Sequence, residues 1–382
     1  MSKKKIRVRL GNLVENMIGN TIVRAKLEAP VLEGEPEELV WYRIPMPDCI
    51  SGDGSEYHIY LKKGTTDNLC IFFSGGGVAW DEYTAAHPVT GGAVAAGRPN
   101  YYWSNLRPFT QLMNINIGIT ENDPLKNPFT DWNFVIITYS TGDFHVGDND
   151  FEYTAPDGNR KVLHFHGKKN VMSSLNIAKQ FFPEPKKLLI AGDSAGAFAV
   201  PAHAQTIVGD YYSECQDITV FSDSGLFPYR HWKRVARDVW RCDERYWQAI
   251  HSANITLDWY EALYERFGSR LKYLFASSTH DYLLSTYYNY ILNGEYKTNK
   301  EVQEIYNISL IKMYEFLTKL EPHFGFYIND RRNITTHGGT VHTAVRESYF
   351  SAKKGSLPSM AEWLFDAVNG IVYSVGTEML EY

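Results

Sequence analysis

LLIAGDSAGAFAV, residues 188–200, decides the fold. Its first half is a continuous apolar run, as expected of a strand covered on both faces. Its second half is alanine-rich and reads as a helix continuing to about residue 208. Between them Gly192-Asp193-Ser194-Ala195-Gly196 fits G-x-S-x-G. Composition alone yields that pattern by chance in about one chain in ten of this length. A strand before it and a helix after it are what a nucleophile elbow requires. The glycines allow a tight turn with other chains passing close by. Ser194 then projects above the sheet edge at a helix N-terminus, where N–H groups and the dipole favour a developing anion. The plainer alternative is a serine that caps an ordinary helix.

Further apolar runs extend the pattern on both sides. HIYLKK (58–63), LCIFF (69–73) and NFVIITY (133–139) read as strands upstream. ITVFSDSG (218–225), LKYLFAS (271–277) and FGFYI (324–328) do so downstream. Helical spacing occupies 168–182, much of 228–268, 297–320 and 361–372. Strands alternating with helices predict a single α/β domain over residues 1–382, α/β-hydrolase-like, with a mostly parallel central sheet flanked by helices. A β-excursion is expected between residues 140 and 165. The first 45 residues read as extended, on the alternation in VRAKL (23–27) and WYRI (41–44). Residues 79–130 are rich in Gly, Pro, Asn and aromatics and too long for a structureless loop, so they are expected to form a loop-rich cap or rim.

Composition excludes several classes. The 382 residues carry 38 basic and 44 acidic side chains, a net charge of −6, with no basic block beyond Lys3-Lys4-Lys5. Nucleic-acid binding therefore has no electrostatic footprint. No window approaches a membrane span, and the basic N-terminus lacks the apolar run of a secretory signal. The four cysteines, Cys49, Cys70, Cys215 and Cys242, form no metal-ligating spacing and suit a reducing cytosol. The expectation is a cytoplasmic protein, although a secreted form with its leader removed would read the same way. Nothing fixes the oligomeric state.

A serine nucleophile needs an oriented base and an oxyanion hole. Gly75-Gly76-Gly77 follows the strand at 69–73, so the N–H groups of Gly76 and Gly77, with that of Ala195, are the candidate oxyanion donors. In this fold the order is Ser, then Asp or Glu, then His. Asp281 follows one downstream strand, and His337 and His342 follow the next. Asp223 is a rival acid, although an Asp in a DSG turn more often ties loop backbone together. His280 adjoins Asp281 on the acid's own loop, and His323 lies at the wrong end of its strand. His164 and His166 form an H-x-H pair of the kind that binds metal, but no third ligand is near in sequence, so a structural role is expected of them. Aromatic residues are 14% of the chain, which a large core and tyrosine-rich surface loops explain first and an aromatic-lined groove for a sugar or acyl chain second. Trp80, Tyr101, Tyr102 and Trp103 are the candidate substrate contacts.

Several segments, taken in order, resemble the pectin acetylesterase family, which includes the Notum carboxylesterases. They are FFSGGGVAW (72–80), NPFTDWNFVIITYSTGDFHVGD (127–148), LHFHGKKNVMSSLNIA (163–178), GDSAGAF (192–198), SDSGLF (222–227) and GTVHTAV (339–345), the last similar to the histidine loop of bacterial members. The resemblance implies Ser194 as nucleophile, Asp281 as acid and His342 as base, with Gly76, Gly77 and Ala195 as oxyanion donors. It implies hydrolysis of an ester on a small molecule or oligosaccharide, typically an O-acetyl ester of pectin, without metal or cofactor. Ser74 replaces the family's usual glutamate. Val78-Ala79-Trp80, Ser140 and Thr343-Ala344 replace cysteine-bearing positions. Two other readings use the same residues: an esterase for longer acyl chains, and a non-catalytic carbohydrate- or acyl-binding protein.

Overall fold

The computed structural model describes residues 3–380. In chain order the strands are β1 (Trp41–Ile50), β2 (Glu56–Lys62), β3 (Leu69–Phe73), β4 (Asn133–Ile137), β5 (Asn149–Thr154), β6 (Arg160–Phe165), β7 (Lys187–Asp193), β8 (Asp217–Asp223), β9 (Lys272–Ser278) and β10 (Gly325–Asn329). The longer helices are α1 (Lys3–Arg24), α2 (Gly167–Phe181), α3 (Ala195–Thr206), α4 (Ile255–Phe267), α5 (Tyr282–Asn293), α6 (Lys300–Leu320) and α7 (Met360–Val368). One eight-stranded sheet runs β1-β2-β4-β3-β7-β8-β9-β10. The pairs from β4 through β10 are parallel, and β1 and β2 add antiparallel strands at one edge. This is the expected mostly parallel α/β-hydrolase-like sheet.

The continuous apolar runs follow from burial on both faces. Leu69, Ile71, Phe73, Leu188 and Ile190 point into one core, where α3 contributes Phe198 and Val200. Cys70, Phe72, Leu189 and Ala191 point into the other, where α7 contributes Trp363 and Leu364. Neither face of the central strands meets water, so no polar alternation survives in their sequence. Strands β5 and β6 form a separate two-stranded hairpin, the expected excursion. The α6 helix starts at Lys300 because the Asn299 side chain accepts from Val302 N–H.

Two expectations fail. The N-terminal segment is not extended: Lys3–Arg24 is helical, and the VRAKL alternation spans the helix end and the turn after it. Five residues of alternation are outweighed by the longer i, i+3, i+4 spacing of Leu10, Leu13, Val14, Met17 and Ile18. That apolar stripe is exposed. The helix packs instead through Glu15, Gly19 and Ile22, with Glu15 and Asn12 accepting from the N–H groups of Gly91 and Gly92. The second failure is an omission. Helix α5 lies where the sequence reading left no element. Its signals were there: Asp281 accepts from Leu283 and Leu284 N–H at its start, and Gly294 closes it at φ 72°.

Candidate active site

The carboxyl ends of β3, β4 and β7 and the segments that follow β9 and β10 line one cleft of about 300 Å³. Open parallel sheets place ligands at this edge. Ser194 follows β7 directly and adopts φ 50°, ψ −123°, a backbone conformation unusual for a residue with a side chain. The turn is tight because α3 leaves close to β3: a Cβ on Gly196 would sit 1.9 Å from the Phe73 carbonyl oxygen. Ser194 N–H donates to the Asp223 carbonyl, which ties the turn to β8 (2.8 Å).

His342 Nε2 lies 2.8 Å from Ser194 Oγ, and its Nδ1 lies 2.6 Å from Asp281 Oδ2. Asp281 is wholly buried, and its other oxygen accepts the first N–H groups of α5. One carboxylate thus caps a helix and orients a ring. The loop that carries His342 is laced to the loop that carries Asp281: Thr340 N–H donates to the His280 carbonyl, and Tyr282 N–H to the Thr340 carbonyl. Burial lowers the pKa of His342, but the carboxylate of Asp281, helped by Asp223 and Asp193, outweighs it and leaves the ring above its ordinary value.

The rivals stand elsewhere. His337 is exposed on the preceding turn. His280 faces Thr279 and Glu304. Asp223 Oδ2 accepts from the N–H groups of Ala344 and Val345, so it ties backbone as a DSG aspartate should. Burial pushes its pKa up to about 6 despite those two bonds.

The glycine loop lies against Ser194. Val78 N–H donates to the Tyr101 carbonyl and Trp103 N–H to the Gly76 carbonyl. Gly77, between these two bonds, therefore turns its own N–H away from that strand segment. It is held at φ 81°, and a Cβ there would meet the Tyr101 oxygen at 1.9 Å, so only glycine fits. Ala195 is the first residue of α3, where an N–H has no intrahelical partner. A network unseen in the sequence holds this loop. Asp193 accepts from Gly75 N–H (2.9 Å) and pairs with the buried Arg346 guanidinium (2.8 Å). Arg346 also donates to Ser74 Oγ and Asn114 Oδ1. On the core side, His145 Nε2 donates to the Ser74 carbonyl, and His203 Nε2 to the His145 carbonyl. Burial pulls these two histidines down to about 4 and about 3, so both are neutral near pH 7. Asp193 stands inside the elbow motif, but nothing in the sequence marks Arg346.

The proposed aromatic contacts divide. Tyr101 and Trp103 line the cleft. Trp80 and Tyr102 do not, which corrects half of the expectation. Trp80 packs among Tyr101, Phe227 and Tyr287 and borders a separate surface hollow. Tyr102 is buried and donates to the Ala85 carbonyl. Successive residues of an extended segment point to opposite sides, so Tyr101, Tyr102 and Trp103 could not all face one cleft. Leu106, Met113 and Ile117, from the same 79–130 segment, complete the apolar wall.

No helix of the described residues is long and apolar enough to cross a membrane. No curated protein matches the chain. The family model described as Pectinacetylesterase matches residues 46–315, a span that includes Ser194 and Asp281 and stops before His342. A match over that much of the chain, on this sheet, means that the chain belongs to the pectinacetylesterase family of carboxylic-ester hydrolases.

Proposed function

We propose that the protein is a serine esterase that removes acetyl groups from a carbohydrate, with Ser194 as nucleophile, His342 as general base and Asp281 as its orienting acid. The observation that carries this reading is the pair of contacts from one imidazole, 2.8 Å to Ser194 Oγ and 2.6 Å to Asp281 Oδ2. With Nδ1–H donated to Asp281, the lone pair of Nε2 faces the serine hydroxyl. His342 takes the Ser194 proton as Oγ attacks the ester carbonyl, and Asp281 stabilises the imidazolium. The N–H groups of Gly76, Gly77 and Ala195 receive the oxyanion, each worth about 3 kcal/mol of barrier. His342 then protonates the sugar oxygen as its bond to the acyl carbon breaks, which releases the alcohol and leaves the acetyl group on Ser194. Water, activated by the same base, frees the acetate.

Family membership supports the acetyl ester. The cleft is at the small end of the usual range for ligand pockets, which suits a short acyl group. Trp103, partly exposed at its edge, offers a flat apolar face to a sugar ring. The test is hydrolysis of nitrophenyl esters from acetate to decanoate, with acetate release from acetylated oligogalacturonides, for wild type and Ser194→Ala. Turnover strongest on acetate, and lost in the variant, supports the reading. A longer-chain optimum reassigns the substrate, and no turnover on any ester leaves a binding protein.

A further inference from the structure

The H-x-H pair, for which the sequence offers no third ligand, acquires one through the hairpin. Antiparallel pairing of β5 with β6 sets Asp150 directly opposite His164. His166 comes two residues later, at the start of α2. Asp150 Oδ1 lies 2.6 Å from His164 Nδ1 and 2.9 Å from His166 Nε2. All three donor atoms fall within 4.8 Å of one another. None of these residues lines the cleft at Ser194.

We propose that Asp150, His164 and His166 form a binding site for a divalent transition metal of the zinc class, which clips the β5–β6 hairpin to the start of α2. Two imidazoles and one carboxylate favour zinc-type cations over magnesium or calcium. Zinc binds imidazole nitrogen and carboxylate oxygen at about 2.0–2.2 Å, which sets tetrahedral donor separations of about 3.4 Å. The two Asp150–histidine separations need to open by less than 1 Å. Asp150, with a side chain 61% exposed, has room to move, whereas the rings, at 24% and 23%, are held. The β6 backbone is fixed beside the 51–55 turn, since His164 N–H donates to the Gly52 carbonyl. The exposed side of the site leaves the remaining coordination position to water. A second His/carboxylate group, His251, Asp258 and Glu261, is the weaker candidate. It has one imidazole, and buried Asp258 already accepts from His251 N–H, Ser252 N–H and Ser252 Oγ.

The test is a zinc(II) titration of chelator-stripped full-length protein, read by competition with a chromophoric chelator and by thermal midpoint. Wild type is expected to take up one equivalent and gain thermal stability, because zinc binds the folded site. His166→Ala and Asp150→Asn should each weaken binding at least tenfold and lose the thermal gain. Both variants should keep far-UV dichroism and ester hydrolysis. His251→Ala should titrate like wild type. Cobalt(II) in the same site should give visible absorption that His166→Ala removes. Wild-type titration by both hairpin variants, loss of the equivalent in His251→Ala alone, or no uptake at millimolar zinc would overturn the site.

Discussion

The two walls of the cleft are built by different rules. One wall is the carboxyl edge of the sheet. Ser194, Asp281 and Gly76 each lie within a few residues of a strand end, and His342 is laced to one. The other wall, with Tyr101, Trp103, Met113 and Ile117, comes from the 79–130 segment, which contributes no strand to the sheet. Its shape depends on contacts with distant elements, such as the bond from Tyr287 Oη to the Tyr101 carbonyl. The difference separates chemistry from selection. The first wall has backbone-fixed geometry and should tolerate no change at the reacting atoms. The second has packed side chains and should change affinity by degrees.

The largest effects therefore belong to the first wall. Ser194→Ala should lower kcat by about 10⁴-fold or more while the thermal midpoint stays close to wild type. His342→Ala should match it, and His337→Ala should stay within about twofold, since His337 is exposed and outside the cleft. Steady-state kinetics on nitrophenyl acetate check all three. Equal losses in the two histidine variants would break the geometric ranking.

The same contrast explains what was legible in the sequence. The strands from 69 to 328 and the elbow could be read because burial and tight turns leave local marks: apolar runs, glycines, a serine between them. The order serine, aspartate, histidine followed from the order of strand ends, but the choice of His342 over His337 came only from the family resemblance. Arg346 left no mark, because its partner Asp193 is on a different strand's loop. Trp80 and Tyr102 misled because aromatic content says nothing about the direction in which a side chain points. Asp150 escaped for the same reason as Arg346: it meets His164 only through strand pairing.

A second prediction sharpens the first wall by pH. Activity should rise with pH as His342 loses its proton, along a limb whose apparent pKa lies above the ordinary histidine value of about 6.5. Asp281→Asn should lower kcat by up to about 10⁴-fold and move the residual limb down, because the carboxylate is what raises the pKa. Stability runs by sign. The raised pKa of His342 gives stabilisation that is full below about pH 6.5 and lost as pH climbs through its folded value. His145 and His203 act oppositely. Their folded values of about 4 and about 3 mean that stability falls as pH drops below about 6.5, by up to about 1.4 kcal/mol per pH unit for each. Denaturant midpoints at pH 7, 6 and 5 in His203→Gln and wild type measure the second term. A wild-type slope unchanged in the variant would refute it.

Asp193 and Arg346 test how the glycine loop is held. Asp193→Asn should lower kcat by about 10- to 100-fold with KM little changed, because Gly75 N–H loses a charged acceptor and the oxyanion donors lose their register. Arg346→Met should also destabilise, by about 3–5 kcal/mol, since it leaves a buried carboxylate unpaired. The double variant should recover part of that stability but none of the rate. Recovery of rate in the double variant would mean that the pair supports the fold without positioning the loop.

The smallest effect belongs to the second wall. Trp103 lines the cleft with one edge against Phe109, ring centroids 5.6 Å apart, and its Cδ1 lies close to Gly76. It touches no reacting atom, so Trp103→Ala should leave kcat on nitrophenyl acetate within about twofold. On an acetylated oligosaccharide, the lost apolar face should raise KM by about three- to tenfold, about 1 kcal/mol of stacking. Trp103→Phe should restore much of that affinity, because a smaller flat ring remains. Trp80→Phe, in the packed cluster outside the cleft, should change neither constant on either substrate. If Trp103→Ala instead lowers kcat on the small ester and leaves oligosaccharide KM alone, Trp103 acts by holding Gly76, and the two walls are one machine.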